Sequence, residues 1–335
     1  MNVISSPPSF QPRYAITFGE VAILHVGGKE IGNGRREQGF QVDELDQICA
    51  QINLHSAIDQ NTNETSQPSS NQSSKTISAE LIHISNALPE QYRQANAAAV
   101  LVIRNGAELI SNAKASESDK SSGKSSGNSS CSEAKNSYID DAANKLLQEQ
   151  QNIEYDRKFW NARQRKTMNK RARYNTTFGE QNVSPSADFQ TPTTHAFPPI
   201  MSAFRNGLVH VLGERANDLS AEGNHYYEQK SGIGYHGDAE RKIVICLCLG
   251  GSSVLKYNWR MPGSSEHTMK SIDVHVKHGD VYVMSEKATG FDWKSRSKIR
   301  VVHGAGSDKY VNPKKKKKEE STTTTSATKR KHSEL

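Results

Sequence analysis

The segment Ser231-Gly-Ile-Gly-Tyr-His-Gly-Asp238 sets His236 and Asp238 two positions apart. Residues i and i+2 at a strand end point the same way, so an imidazole and a carboxylate can reach one cation from a single short segment. A third ligand from a distant strand would complete a two-histidine, one-carboxylate set on one face of an Fe(II) ion, leaving the opposite positions open for other ligands. His303, in Ile299-Arg-Val-Val-His-Gly-Ala-Gly306, follows the Gly279-Asp280 turn, precedes the C-terminal tail, and is the candidate for that third position. A weaker pair, Asp273 and His275, also shares one strand face. His25 and His278 read as structural or surface groups.

These residues need strands to hold them, and the sequence supplies strands. Ile243-Val-Ile-Cys-Leu-Cys-Leu249 is a continuous apolar run of buried-strand type. Val254 to Trp259 and Ile272 to Val276 alternate, and Val281-Tyr-Val-Met284 follows the Gly279-Asp280 turn. Strands at this spacing, separated by Gly, Ser and Pro turns, predict a barrel or sandwich. Upstream, Tyr14 to Phe18 and Val21 to Val26 are strand-like and lead into a Gly-rich turn. A helix is predicted after it, with Val42, Leu45, Ile48 and Cys49 on one face. That turn lacks both the GxGxxG and the GxxxxGK[ST] spacing, so it is not read as a phosphate loop.

Hydrophobic residues make up 34% of the 335, which is too few for the whole chain to pack. Two Ser-rich runs carry the deficit. The predicted class is α+β, in this order: residues 1–54, an N-terminal α/β piece packing on the core; 55–78, a disordered linker; 79–110, a helix and strand segment; 111–137, a Ser-rich disordered linker; 138–216, a helical basic segment with a substrate lid; 217–311, the strand core; 312–335, a basic disordered tail.

The net charge is +7, and much of the excess lies in that tail, where eight Lys and Arg face three Glu. Its two basic clusters are of the kind that directs nuclear import or grips nucleic acid, so a nuclear location is expected, with the cytoplasm as the alternative. The four cysteines do not form a disulfide framework, which fits a reducing compartment. Neither a secretory leader nor a run of 18 or more apolar residues is found, so no membrane span is expected.

Between residues 157 and 173 lie eight basic residues and no acid. Arg163, Arg165, Lys166, Lys170, Arg171 and Arg173, with Tyr174, Phe159 and Trp160 nearby, are the candidate nucleic-acid contacts, since cations neutralise phosphates and aromatic faces stack bases. A solvated helix face whose long side chains cover the core is the competing reading.

Taken in order, Asn224-His-Tyr226, the His236/Asp238 pair, the Gly279-Asp280 to Met284 strand and the distal His303 resemble the AlkB-like family of Fe(II)/2-oxoglutarate dioxygenases, over about 90 residues. Asn169 to Asn175 looks like that family's basic aromatic segment over the substrate base. The longer runs Gly234 to Arg241 and Tyr282 to Gly290 look closest to uncharacterised algal and viral members. The resemblance implies a double-stranded β-helix (jelly-roll) core with iron held by His236, Asp238 and His303. It also implies that Asn224 and Tyr226 hydrogen-bond 2-oxoglutarate, that dioxygen is the oxidant, and that a modified nucleic acid base is demethylated or hydroxylated.

The chain departs from that pattern in one respect. The family has two arginines, six positions apart, after its distal histidine, to grip both cosubstrate carboxylates, and no arginine occurs here between His303 and Arg330. A cation is still required, because an unpaired carboxylate in a dry pocket is costly. Arg300, read at alternating spacing from His303 on one strand, and Lys309, just beyond the Gly turn, are the candidates. Two alternatives stay open: the same chemistry on protein side chains, or a degenerate, non-catalytic nucleic-acid-binding barrel in which residues 296–302 are the final strand and His303 is a loop residue.

Overall fold

The computed structural model describes residues 10–24, 30–32, 36–63, 76–113, 141–265 and 269–312. His25, most of the second Ser-rich run, and the tail beyond Asn312 lie outside them.

In chain order the elements are β1 (Arg13–Gly19), β2 (Val21–Leu24), β3 (Glu30–Gly32), α1 (Val42–Asn63), β4 (Ser78–His83), α2 (Glu90–Arg93), β5 (Ala99–Arg104), α3 (Gly106–Ser111) and α4 (Ala142–Gln151). There follow β6 (Lys158–Asn161), β7 (Lys166–Asn169), β8 (Tyr174–Gly179), β9 (Thr194–Ala196) and α5 (Pro199–Leu212). The C-terminal part holds β10 (Ser220–Tyr226), β11 (Gly232–His236), β12 (Val244–Gly250), β13 (Ser253–Arg260), β14 (Ile272–Val276), β15 (Val281–Met284), β16 (Arg300–Gly306) and α6 (Asp308–Val311). The class is mixed α+β, with antiparallel sheets dominating.

Three layers result. An eight-stranded sheet, ordered β4-β5-β15-β12-β1-β10-β8-β9, carries helices on one face and a four-stranded sheet, β11-β16-β13-β14, on the other. Strands buried on both faces must be apolar at every position, and β12 obeys. Ile245, Leu247 and Leu249 enter the helical layer beside Leu45, Phe204 and Leu208, whereas Val244, Cys246 and Cys248 face Tyr257, Trp259 and Val301 of the smaller sheet. Helix α5 buries Met201, Phe204, Leu208 and Leu212 as one stripe, begins with Pro199 in its first turn, and ends at Gly213 with φ +81°.

Several expectations change. The N-terminal piece does not pack on the outside of residues 217–311: β1 lies inside the large sheet, paired to β10 on one edge and β12 on the other. The segment read as 79–110 likewise joins that sheet, β5 pairing with β15. Helix α1 runs on to Asn63, into the stretch read as linker, and residues 64–75 lie outside the described part.

In the segment read as helical and basic from residue 138, the helix before the basic stretch covers only Ala142–Gln151. The basic stretch after it is the β6–β7 hairpin. Phe159, Trp160 and Thr167 are strand formers. Arg165 sits at φ +48°, and the Asn161 side chain accepts the Gln164 N–H at 3.0 Å, which turns the chain where a helix would have continued. Among the described residues no helix is long and apolar enough to cross a membrane.

Candidate metal centre

Between the two sheets lies a cavity of about 170 Å³, lined by Ala15 and Thr17 of β1, Glu222, Asn224 and Tyr226 of β10, His236 at the end of β11, Asp238 just after it, and His303 and Ala305 of β16. Strands β11 and β16 are antiparallel neighbours, and His236 stands directly opposite His303 in their register. The ring centroids are 4.6 Å apart. An irregularity in the ladder between Ile233 and His236 shifts the register just before the site.

Asp238 completes the group. Its two carboxylate oxygens lie 3.6 Å from His236 Nε2 and 3.7 Å from His303 Nε2. Candidate ligand atoms of all three residues lie within 4.8 Å of one another, so one cation could be reached by all three. His236 Nδ1 bonds the Gly234 carbonyl at 2.8 Å, which orients the ring with Nε2 toward Asp238.

Gly237 makes the turn between the two ligands possible. A Cβ there would fall 2.2 Å from the Gly290 carbonyl oxygen and 2.7 Å from Trp293, and the Asp238 N–H is held by the Thr289 carbonyl at 2.9 Å. The turn is therefore pressed against the loop before β16.

The electrostatics keep the donors available. Burial, helped by His236, lowers the His303 pKa to about 4, so its imidazole is neutral at neutral pH. Burial pushes the Asp238 carboxyl up, but His303, Arg241, His236 and Arg173 outweigh it and hold the group below the ordinary aspartate range. Two imidazoles and a carboxylate are the donor set that suits a first-row divalent ion with open positions.

Asn224 and Tyr226, each 8% exposed, line the cavity from β10. The Arg173 Nε donates to Asn224 Oδ1. Arg300 is not at the cavity. Three residues from His303 on a strand, it projects to the opposite face, where its guanidinium bonds the backbone carbonyls of Trp293, Met261 and Ser264. Lys309 is exposed on α6, its ammonium over the Tyr310 ring. The cations lining the cavity are Arg173 and Arg241. Buried Arg241 is neutralised by Glu222 at 3.4 Å and Glu240 at 3.5 Å. Glu222 and Glu240 went unread in the sequence, although each stands two positions from a named residue, Asn224 or Asp238, and alternation would have found them.

Arg173 also lines a groove of about 690 Å³ outside the cavity, with Phe159, Trp160, Phe189, Tyr310, Lys158, Lys170 and Arg171. Lys170 and Arg171 thus line one groove with Arg173. Arg163, Arg165 and Lys166 are exposed at or beside the β6–β7 turn, and Tyr174 stacks on Tyr227 at 4.1 Å, under the Arg157 guanidinium. Asp273 and His275 face solvent on β14, with Asp273 paired to Lys256 at 2.7 Å.

No family model matches the chain. It is similar to an uncharacterized protein of Acanthamoeba polyphaga mimivirus, with 38% identity over 173 residues, which is 50% of this chain and 66% of that one. The match spans just under two thirds of the viral protein.

Proposed function

We propose that this chain is an Fe(II)- and 2-oxoglutarate-dependent dioxygenase of the AlkB-like type, acting on a modified nucleic acid base. The observation that carries the reading is the convergence of His236, Asp238 and His303 from two strands and a turn onto one point between two sheets. In this reading the facing sheets are a double-stranded β-helix, because from β10 to β16 the chain alternates between them at every step but β13 to β14.

His236, Asp238 and His303 would hold the metal. Bound Fe(II), with 2-oxoglutarate and dioxygen, supplies a two-electron oxidation of a substrate C–H bond, giving succinate and carbon dioxide as coproducts. On an N-methylated base the hydroxymethyl product falls apart to formaldehyde and the free amine. Asn224, held by Arg173, and Tyr226 offer hydrogen bonds to the cosubstrate, and Val244, Leu255 and Met284 exclude water from it.

The groove favours nucleic acid over a protein substrate. It combines stacking faces, Phe159, Trp160 and Phe189, with the phosphate-type cations Lys170, Arg171 and Arg173, and Arg173 links it to the cavity. The test is formaldehyde release from methylated oligonucleotides and methylated peptides, with Fe(II), 2-oxoglutarate and air. Release from oligonucleotides alone supports the reading; release from peptides alone assigns the same chemistry to protein side chains.

A further inference from the structure

From β10 onward the strands leave one place in the large sheet unfilled. β10 and β12 are not neighbours, and the strand between them is β1. It is hydrogen-bonded along its length to both, from Arg13 opposite Tyr226 and Gly250 to Phe18 opposite Ala221 and Ile245. The fit is anchored at its start. Gly250, at φ +81°, brings the β12–β13 turn so close that a Cβ would lie 2.3 Å from the Pro12 carbonyl oxygen, which accepts the Gly251 N–H at 3.1 Å.

Alternation then decides what β1 offers the cavity. Tyr14, Ile16 and Phe18 enter the helical layer, while Ala15 and Thr17 line the cavity. Arg13 shares the face of Ala15 and Thr17, at the Tyr226 end, and its guanidinium lies 5.0 Å from the Tyr226 ring centroid. One of its Nη atoms bonds Ser253 Oγ at 2.9 Å and the Ser252 carbonyl at 3.3 Å. Its Nε is buried without a partner, and among the described residues no carboxylate pairs with it. A half-buried guanidinium with an unused donor and no counter-charge is an anion site in want of an anion.

Resting on the cosubstrate reading above, we propose that β1 completes the cosubstrate site and that Arg13 grips the carboxylate of 2-oxoglutarate remote from its 2-oxo acid group. The cation missing after His303 would thus come from the opposite end of the described chain, carried on the strand that fills the gap in the sheet. Arg241 is already neutralised, Arg300 is bonded to loop carbonyls and Arg173 is engaged with Asn224, which leaves the Tyr226 end to Arg13.

The experiment is calorimetric titration of the full chain, loaded with Mn(II) to prevent turnover, with 2-oxoglutarate and with 2-oxobutanoate, which lacks the second carboxylate. The natural protein should prefer the diacid by about ten- to a hundredfold, the scale of one charge-assisted hydrogen-bonded pair. Arg13→Gln should bind the two acids alike, with Mn(II) affinity and melting temperature unchanged, and Arg13→Lys should keep part of the preference. Retention of the full preference in Arg13→Gln overturns the role of Arg13 alone. Failure of the natural protein to bind either acid overturns the cosubstrate reading and the Arg13 role together.

Discussion

His236 and His303 are direct cross-strand partners in the β11–β16 ladder, with rings 4.6 Å apart although 67 positions separate them in the chain. The candidate metal site is therefore held by the sheet itself. Removing one donor should abolish metal binding without unfolding the protein. His303→Ala and Asp238→Ala should each weaken Mn(II) or Co(II) binding by more than the roughly 10–100-fold that loss of an outer-shell partner costs. Metal titration followed by calorimetry, beside a thermal melt, reads both quantities.

Gly237 is confined by the Gly290 carbonyl and by Trp293. Gly237→Ala should lower stability by about 1–3 kcal/mol, the usual range for overpacking, and should displace Asp238 from the two histidines. Chemical denaturation measures the first effect, and a metal affinity lower than that of the natural protein reports the second.

Strand β1 carries the large sheet's middle, and Ile16 is fully buried in the helical layer. Ile16→Ala should cost about 2–5 kcal/mol, as a large-to-small change in a packed core does. A loss near zero, measured by denaturant unfolding, would mean that β1 is not the central strand described here.

Lys170 lines the groove, and burial lowers its pKa to about 8 from 10.5. Its ammonium is therefore present at pH 7 and lost as pH rises through 8. Oligonucleotide affinity, measured by fluorescence anisotropy at fixed salt, should fall between pH 7 and 9 in the natural protein. In Lys170→Gln that slope should disappear and affinity at pH 7 should already be reduced. Trp160→Ala should weaken single-stranded binding by about 1–3 kcal/mol if a base stacks on its ring.

How much of this was legible in the sequence follows from the range of each interaction. His236 and Asp238 could be read because their relation is local, two positions along one chain segment. His303 could be nominated only as the remaining histidine, since its pairing depends on a ladder that the sequence does not display. Arg300 was misread because three residues on a strand reverse the side chain's direction. The basic stretch was misread because charge says nothing of backbone shape, whereas Asn161, Gln164 and Arg165 make a turn. Arg13 escaped notice because its partners on β10 and β12 lie more than 200 positions away. Its one local signal is alternation with Ala15 and Thr17, which has no meaning until the strand's face is known.

Succinate formation from 2-oxoglutarate is the most direct measurement of the chemistry proposed for His236, Asp238 and His303. The natural protein, supplied with Fe(II) and dioxygen, should release succinate, and His236→Ala should release none above the protein-free background. Background-level release by the natural protein, or equal release by the variant, would contradict an oxygen-activating centre at these three residues.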